Sequence, residues 1–503
     1  MNQRKCGVIL SYISIVVNAL IGFAYVPLLL NLMGESEYGL YQLMGSLIAY
    51  LSIMDFGMSS TVIRYYSRYR SLGDEVGAEN SLALSSIIYG VITVIIIVAG
   101  VALYFCLDEM FRYSLSESEM LSAKSIFCVQ LINISITIPS KVFDAVIISF
   151  ERFVFLKGAT IIQTVLTPIA VILILQEYPY ALSFVVIQTV FNILLIAVKV
   201  IYCFGKLRIK IKMHYFSGTL FKEMLEFSFF IFLGALMDQL FWNTNKLVLG
   251  IVASTVVTAV YGVATTIFNA YMSISTVITS VFLPRVTAIT TKDYYQQELS
   301  DLFIRIGRVQ YLLLSCVLSG FTLFGKQFVE IWAGKGFSDV YLITLCLIVP
   351  FTIDLIQNIG ITILQAENKL AFRSLTFLVA SIVNILLSFY MASRFGAVGC
   401  AFSTGLTFFA MNILLNIYYA KCIHLNIGEF WKQIGKITIS CIFAMLFGIL
   451  IRQITFGDSF FNLAIKILIY CLVFFILMWF FALNEYEKDL IRLVFRRLRK
   501  KNS

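Results

Sequence analysis

Apolar runs separated by short polar breaks recur from one end of the chain to the other. Each run is at least about 18 residues long, enough to cross roughly 30 Å of hydrocarbon as a helix. Membrane barrels show segments of about ten residues with two-residue alternation, a pattern these runs lack. Helices also satisfy their own backbone groups in lipid. Counting the runs predicts about 14 transmembrane helices, near residues 7–33, 38–63, 82–107, 120–149, 155–176, 180–204, 223–251, 256–283, 302–325, 339–365, 371–393, 397–420, 434–451 and 461–483. The fold class is therefore an all-α polytopic membrane protein.

A repeat lies under this pattern. Glu37-Tyr38-Gly39 follows the first hairpin turn, and Val260-Tyr261-Gly262 has the same place after the seventh run. Later in each half, residues 146–163 resemble 361–378, with Glu151 opposite Glu367. The separation is about six helices, and an even-numbered repeat keeps its orientation. The expected architecture is two six-helix bundles, 1–218 and 219–425, related by a pseudo-two-fold axis along the membrane normal. Residues 426–503 add two C-terminal helices and a basic tail.

Composition agrees with a bilayer: 60% of residues are hydrophobic and 13% charged, at a mean hydropathy of +0.91. The net charge of +10 would suggest nucleic acid in a soluble protein. Here the cations fall in alternate loops and at the end of the chain, so they report topology, with both termini cytoplasmic. Arg4 and Lys5 precede an apolar run too long for a signal-peptide core, which predicts a retained first helix. The ten cysteines are scattered singly without a CxxC pair and read as core packing; no metal or other cofactor is expected. The tail KDLIRLVFRRLRKK interleaves basic and apolar residues, which suits a helix on anionic lipid better than nucleic-acid binding.

Several short motifs carry a family resemblance: Gly34 to Leu40, Asp55-Phe56-Gly57, Arg64-Tyr65-Tyr66, Leu283-Pro284-Arg285-Val286 and Gly396-Ala397-Val398-Gly399. In order and spacing they resemble those of bacterial polysaccharide flippases of the multidrug/oligosaccharidyl-lipid/polysaccharide exporter superfamily. The resemblance spans about the whole chain. It implies a non-enzymatic flippase of the bacterial cytoplasmic (inner) membrane. The implied cargo is a polyprenyl-pyrophosphate-linked oligosaccharide for surface polysaccharide such as the O-antigen of lipopolysaccharide. Membrane lipids and polysaccharide-assembly proteins are the implied partners, with Na⁺ or H⁺ as a coupling ion.

Ionisable groups inside spans are costly and are functional candidates by default. Substrate-binding candidates are Arg64, Lys141, Gln239, Asn243, Lys246 and Arg285; ion-coupling candidates are Asp55, Asp238 and Asp354. Each has a second reading. Asp55 beside Gly57 suits a backbone-bonded helix break as well as a coupling cation. Arg64 and Arg285 suit headgroup anchors as well as pyrophosphate ligands at an inner mouth. Lys141 and Asp144 stand three apart on one helix face, either a self-neutralising pair or an anion site. Gln239, Asn243 and Lys246 form one helical stripe, either cavity lining or glue between helices.

Two other functions fit the same class of chain. A multidrug or metabolite antiporter predicts acidic residues in the cavity, which the cations Arg64, Lys141, Lys246 and Arg285 oppose. A membrane glycosyltransferase or polysaccharide polymerase needs an acidic outer constellation. Asp108, Glu109, Glu117 and Glu119 are its candidates, and a solvated loop explains them more simply.

Overall fold

A computed structural model describes residues 3–279, 282–290, 295–367, 369–453, 459–489 and 492. Most of the basic tail and the Asp238 side chain lie outside the described residues. In chain order the helices are α1 (Gln3–Ser52), α2 (Met58–Ser71), α3 (Glu75–Met110), α4 (Glu117–Ser149), α5 (Phe153–Leu175), α6 (Ala181–Ile201), α7 (Gly218–Val252) and α8 (Thr255–Thr279). They continue as α9 (Leu283–Thr290), α10 (Gln296–Trp332), α11 (Asp339–Ile356), α12 (Ile359–Ala366), α13 (Leu370–Cys422), α14 (Ile427–Gln453) and α15 (Phe460–Phe481). The described residues contain no strand.

Eleven described helical stretches are long and apolar enough to cross a membrane. Two of them, Leu20–Ser71 and Leu370–Cys422, are 52 and 53 residues long, about twice what one crossing needs. Each is bent at a glycine with non-helical angles, Gly34 (φ 81, ψ 172) and Gly396 (φ 56, ψ −138). Counting each bent stretch twice and adding α7 gives fourteen crossings among the described residues, the number that the apolar runs predict.

Two runs that read as single helices are broken. In the first, α1 stops at Ser52, a 3₁₀ turn covers Ile53–Asp55, and α2 starts at Met58. Phe56 (φ 51) and Gly57 (φ 64) are both left-handed, and the Phe56 amide bonds back to the Ile53 carbonyl at 3.1 Å. Two consecutive left-handed residues cannot continue an α-helix, so the chain is re-aimed just after Asp55. In the second, α11 and α12 are parted at Gln357 and Asn358, where the Gly360 amide closes on the Gln357 carbonyl at 2.7 Å.

The helices form two compact units, Met1–Gly262 with Ile385–Cys400, and Val263–Asn384 with Ala401–Ser503. In the first, α1 packs against α4, α5 and α7, and α4 against α3 and α6. Leu40, Leu43, Met44, Tyr89, Phe127 and Phe184 fill its core. A Cβ at Gly39 would overlap the Thr255 carbonyl, so the glycine of the Tyr-Gly pair is what lets α1 meet the start of α8. In the second unit α10 is central and packs against α11, α14 and α15. Phe351 stacks on Phe408 at 3.7 Å and meets Phe268 edge-on at 4.9 Å. Many large apolar side chains stay uncovered, Phe105, Leu468 and Phe480 among them, as a lipid-facing surface requires.

Candidate functional site

The break after Asp55 points its carboxylate at α4, where the Lys141 ammonium lies 3.0 Å away. One helix turn further on, Asp144 meets Lys199 of α6 at 2.7 Å. Lys141 and Asp144 therefore do not neutralise each other within α4; each is paired with a neighbouring helix. The reason is that helix packing brings an opposite charge to both, and an ion pair made across helices ties three elements where an internal pair would tie none. Lys141 is the most accessible of the four, its side chain 33% exposed against 14% for Asp55, 29% for Asp144 and 11% for Lys199. Lys199 was not singled out above. Its signal is a lone cation in the apolar run of α6.

The stripe on α7 is also in the first unit. Lys246 Nζ donates to Gln42 Oε1 at 3.0 Å, and Gln42 Nε2 donates in turn to the Tyr38 hydroxyl at 2.8 Å. Gln239 keeps a buried amide nitrogen without a partner, and Asn243 is half-buried. The adjoining residues are structural glue. Asn245 is 1% exposed, donates to the Tyr261 hydroxyl at 2.8 Å and accepts from Ser388 at 2.9 Å. Thr244 shares a hydrogen bond with Tyr50. Both tyrosines of the repeated Tyr-Gly pairs thus hold polar groups of this interior.

Arg64 is exposed on α2, with its guanidinium 5.8 Å from the centre of the Tyr65 ring. Arg285 is exposed on α9 of the second unit. Asp354, half-buried on α11, lies in the field of Arg373. Asp55, Lys141, Gln239, Asn243 and Lys246 are all in the first unit, whereas Asp354 and Arg285 belong to the second.

The turn after α4 and the turn after α12 make the same backbone bonds, Arg152 to Ile147 and Lys369 to Leu364, at a spacing of 217 residues. That register differs by one residue from the Glu151–Glu367 pairing read from the sequence, and it places Asn358 opposite Lys141 and Asn416 opposite Lys199. The second unit ties its helices at these places with neutral groups. Asn358 Nδ2 donates to Thr279 at 3.2 Å, and Gln357 Nε2 donates to Asn416 at 2.8 Å, which also accepts from Trp431 at 2.9 Å. The first unit uses two ion pairs for the same helix ties.

The second unit has a deeply buried ion pair elsewhere. Arg308 on α10 and Glu487, just beyond α15, are 2% and 3% exposed. Arg308 donates to both Glu487 oxygens at 2.7 and 2.8 Å, to the Ala482 carbonyl at 2.8 Å and to Gln433 Oε1 at 2.9 Å. Of the acids Asp108, Glu109, Glu117 and Glu119, the first and last are engaged and the other two are exposed. Asp108 pairs with Lys124 at 2.7 Å, while Glu119 accepts from Ser36, Thr255 and Ser116 at 2.6 to 2.9 Å. No group of three or more His, Cys, Asp or Glu that could hold a metal occurs among the described residues.

Residues 5–290, more than half of the chain, match the family model described as "Polysaccharide biosynthesis protein". No curated protein sequence matches. Among solved structures, the chain is similar to a lipid II flippase, MurJ, in an inward closed conformation. The TM-score is 0.73 at 15% identity, over 97% of this chain and 99% of that one. It is similar to an inward-facing multidrug resistance MATE family transporter of the MOP superfamily at TM-score 0.58 and 14% identity, covering 83% and 99%. A third similarity is to the MATE multidrug transporter DinF-BH, at TM-score 0.56 and 15% identity, covering 84% and 96%. At these identities the likeness is one of fold.

Proposed function

We propose, from the premise that this chain belongs to the polysaccharide biosynthesis protein family, that it is a flippase for polyprenyl-pyrophosphate-linked oligosaccharide in the bacterial cytoplasmic membrane. The observation that carries the reading is the pair of lysines inside the first unit, Lys141 and Lys246, set among hydrogen-bonding side chains rather than lipid-facing ones. A cation at membrane depth is costly unless it is paired or has an anion to receive. Lys141 has Asp55 as its counter-ion at rest, and the pyrophosphate is the further anion offered to it and to Lys246 beside Gln42. Gln239 and Asn243 on the same α7 stripe offer amides to the sugars, and the polyprenyl tail stays in the bilayer. On α2 the exposed Arg64 offers a guanidinium to the same anion on first encounter.

Translocation proceeds by alternating access, with no covalent step and hence no catalytic residue. Asp55, paired with Lys141, and Asp354, in the field of Arg373, are the candidates for a coupling Na⁺ or H⁺ among the described acids. A cationic-drug antiporter is the less favoured reading, because Asp55 and Asp144 each carry a lysine. Vesicles carrying a labelled lipid-linked oligosaccharide provide the test. Protein-dependent appearance of the label on the far leaflet is expected, and equal translocation with and without protein refutes the reading.

A further inference from the structure

The two ion pairs of the first unit share a feature that neither shows alone. Lys141 has two carboxylates within its reach: Asp55 across the helix interface, and Asp144 three residues on along the same face of α4. Asp144 does not compete, because Lys199 holds it at 2.7 Å. Lys141 is therefore attached to a single acid, Asp55, which the Tyr89 hydroxyl also faces. An anion arriving at Lys141 has one carboxylate to displace. If Lys199 were neutral, Asp144 would turn back to Lys141 and the anion would face two.

We infer that Lys141 is the group of the first unit that receives an anionic headgroup by partner exchange with Asp55, and that Lys199 is the positioning residue that keeps Asp144 from taking its place. The inference rests on the flippase reading for the identity of the anion. It also accounts for the difference between the units. At the matching register the second unit has Asn358 and Asn416, whose amide bonds also tie helices but present no cation. Helix tying alone would not require charges in one unit and amides in the other. At these positions the charges of the first unit add to the helix tie a cation that an anion can reach.

The test uses the full chain in detergent, with geranylgeranyl pyrophosphate as probe and geranylgeraniol as uncharged control, binding being followed by intrinsic fluorescence. Lys141→Met should weaken the pyrophosphate about tenfold or more, the size of a lost charge-assisted contact. Asp55→Asn removes the competing acid and should tighten the same probe several-fold. Lys199→Met should weaken it although Lys199 does not touch it, and should have no further effect in a Lys141→Met background. Lys199→Arg should restore binding. Alcohol binding should stay level throughout.

A Lys199→Met effect of equal size in both backgrounds reduces Lys199 to a structural role and overturns the inference. Loss of affinity in Asp55→Asn, unchanged affinity in Lys141→Met, or no pyrophosphate binding by the wild type overturns it as well. Should Lys141→Met fold poorly, Asp55→Asn/Lys141→Met leaves no unpaired charge and reads the same quantity. The vesicle assay with lipid-linked oligosaccharide is independent of these outcomes. Translocation by a wild type whose Lys141→Met variant binds normally would retain the flippase reading and discard only the exchange.

Discussion

Substituting Glu487 by Ala should destabilise the second unit more than any other single change to its polar groups. Arg308 is 2% exposed, and both Glu487 oxygens accept from it at 2.7 and 2.8 Å. Removing the carboxylate leaves a guanidinium that cannot lose its proton, with only the Ala482 carbonyl and the Gln433 side chain and carbonyl for partners. Breaking such a buried pair from one side costs about 3–5 kcal/mol. The loss falls where the chain leaves α15, so the C-terminal helices should loosen from α10 first. Replacing both residues, Arg308→Met with Glu487→Leu, removes the stranded charge and should recover most of the cost. The assay is thermal unfolding in detergent, with proteolysis of the C-terminal segment as a local probe. Detergent unfolding is often irreversible, so the comparison is between variants at one heating rate. Wild-type unfolding temperature in Glu487→Ala, or a double variant no better than the single one, would refute the assignment of this pair as the clamp.

Gly39→Ala should lower yield and thermal stability, costing about 1–3 kcal/mol, because its Cβ overlaps the Thr255 carbonyl; Gly22→Ala, with open space around it, is the control. Asn416→Leu leaves Gln357 and Trp431 each short of a partner and should cost about 1–3 kcal/mol in the same unfolding assay. Lys246→Met removes the ammonium bonded to Gln42 and should cut lipid-linked oligosaccharide translocation in vesicles about tenfold or more, at unchanged protein yield. Neutralising Asp108, Glu109, Glu117 and Glu119 together should leave surface polysaccharide unchanged in type, since the enzyme reading needs them and the flippase reading does not; loss of Glu119 should register only as weaker packing against Ser36 and Thr255.

What the chain alone made legible follows from local physics. The length and apolarity of each run fix a membrane crossing without reference to any other run, because lipid is the solvent for each one separately. The bends at Gly34 and Gly396 are likewise local, since glycine takes left-handed angles readily. By contrast, the break at Asp55-Phe56-Gly57 interrupts a run that reads as one helix and puts the bulky Phe56 at φ 51. The stripe on α7 shows itself by spacing. Pairing does not. Lys141 and Asp144 look like partners along the chain, yet Asp55 and Lys199 hold them, and Arg308 finds Glu487 at a separation of 179 residues. Only packing determines which charges meet, because an ion pair depends on distance in space, while a sequence gives distance only within one helix. The contrast at the matched positions, ion pairs at Lys141 and Lys199 against amides at Asn358 and Asn416, is visible for the same reason only after the turns have set the register of the repeat.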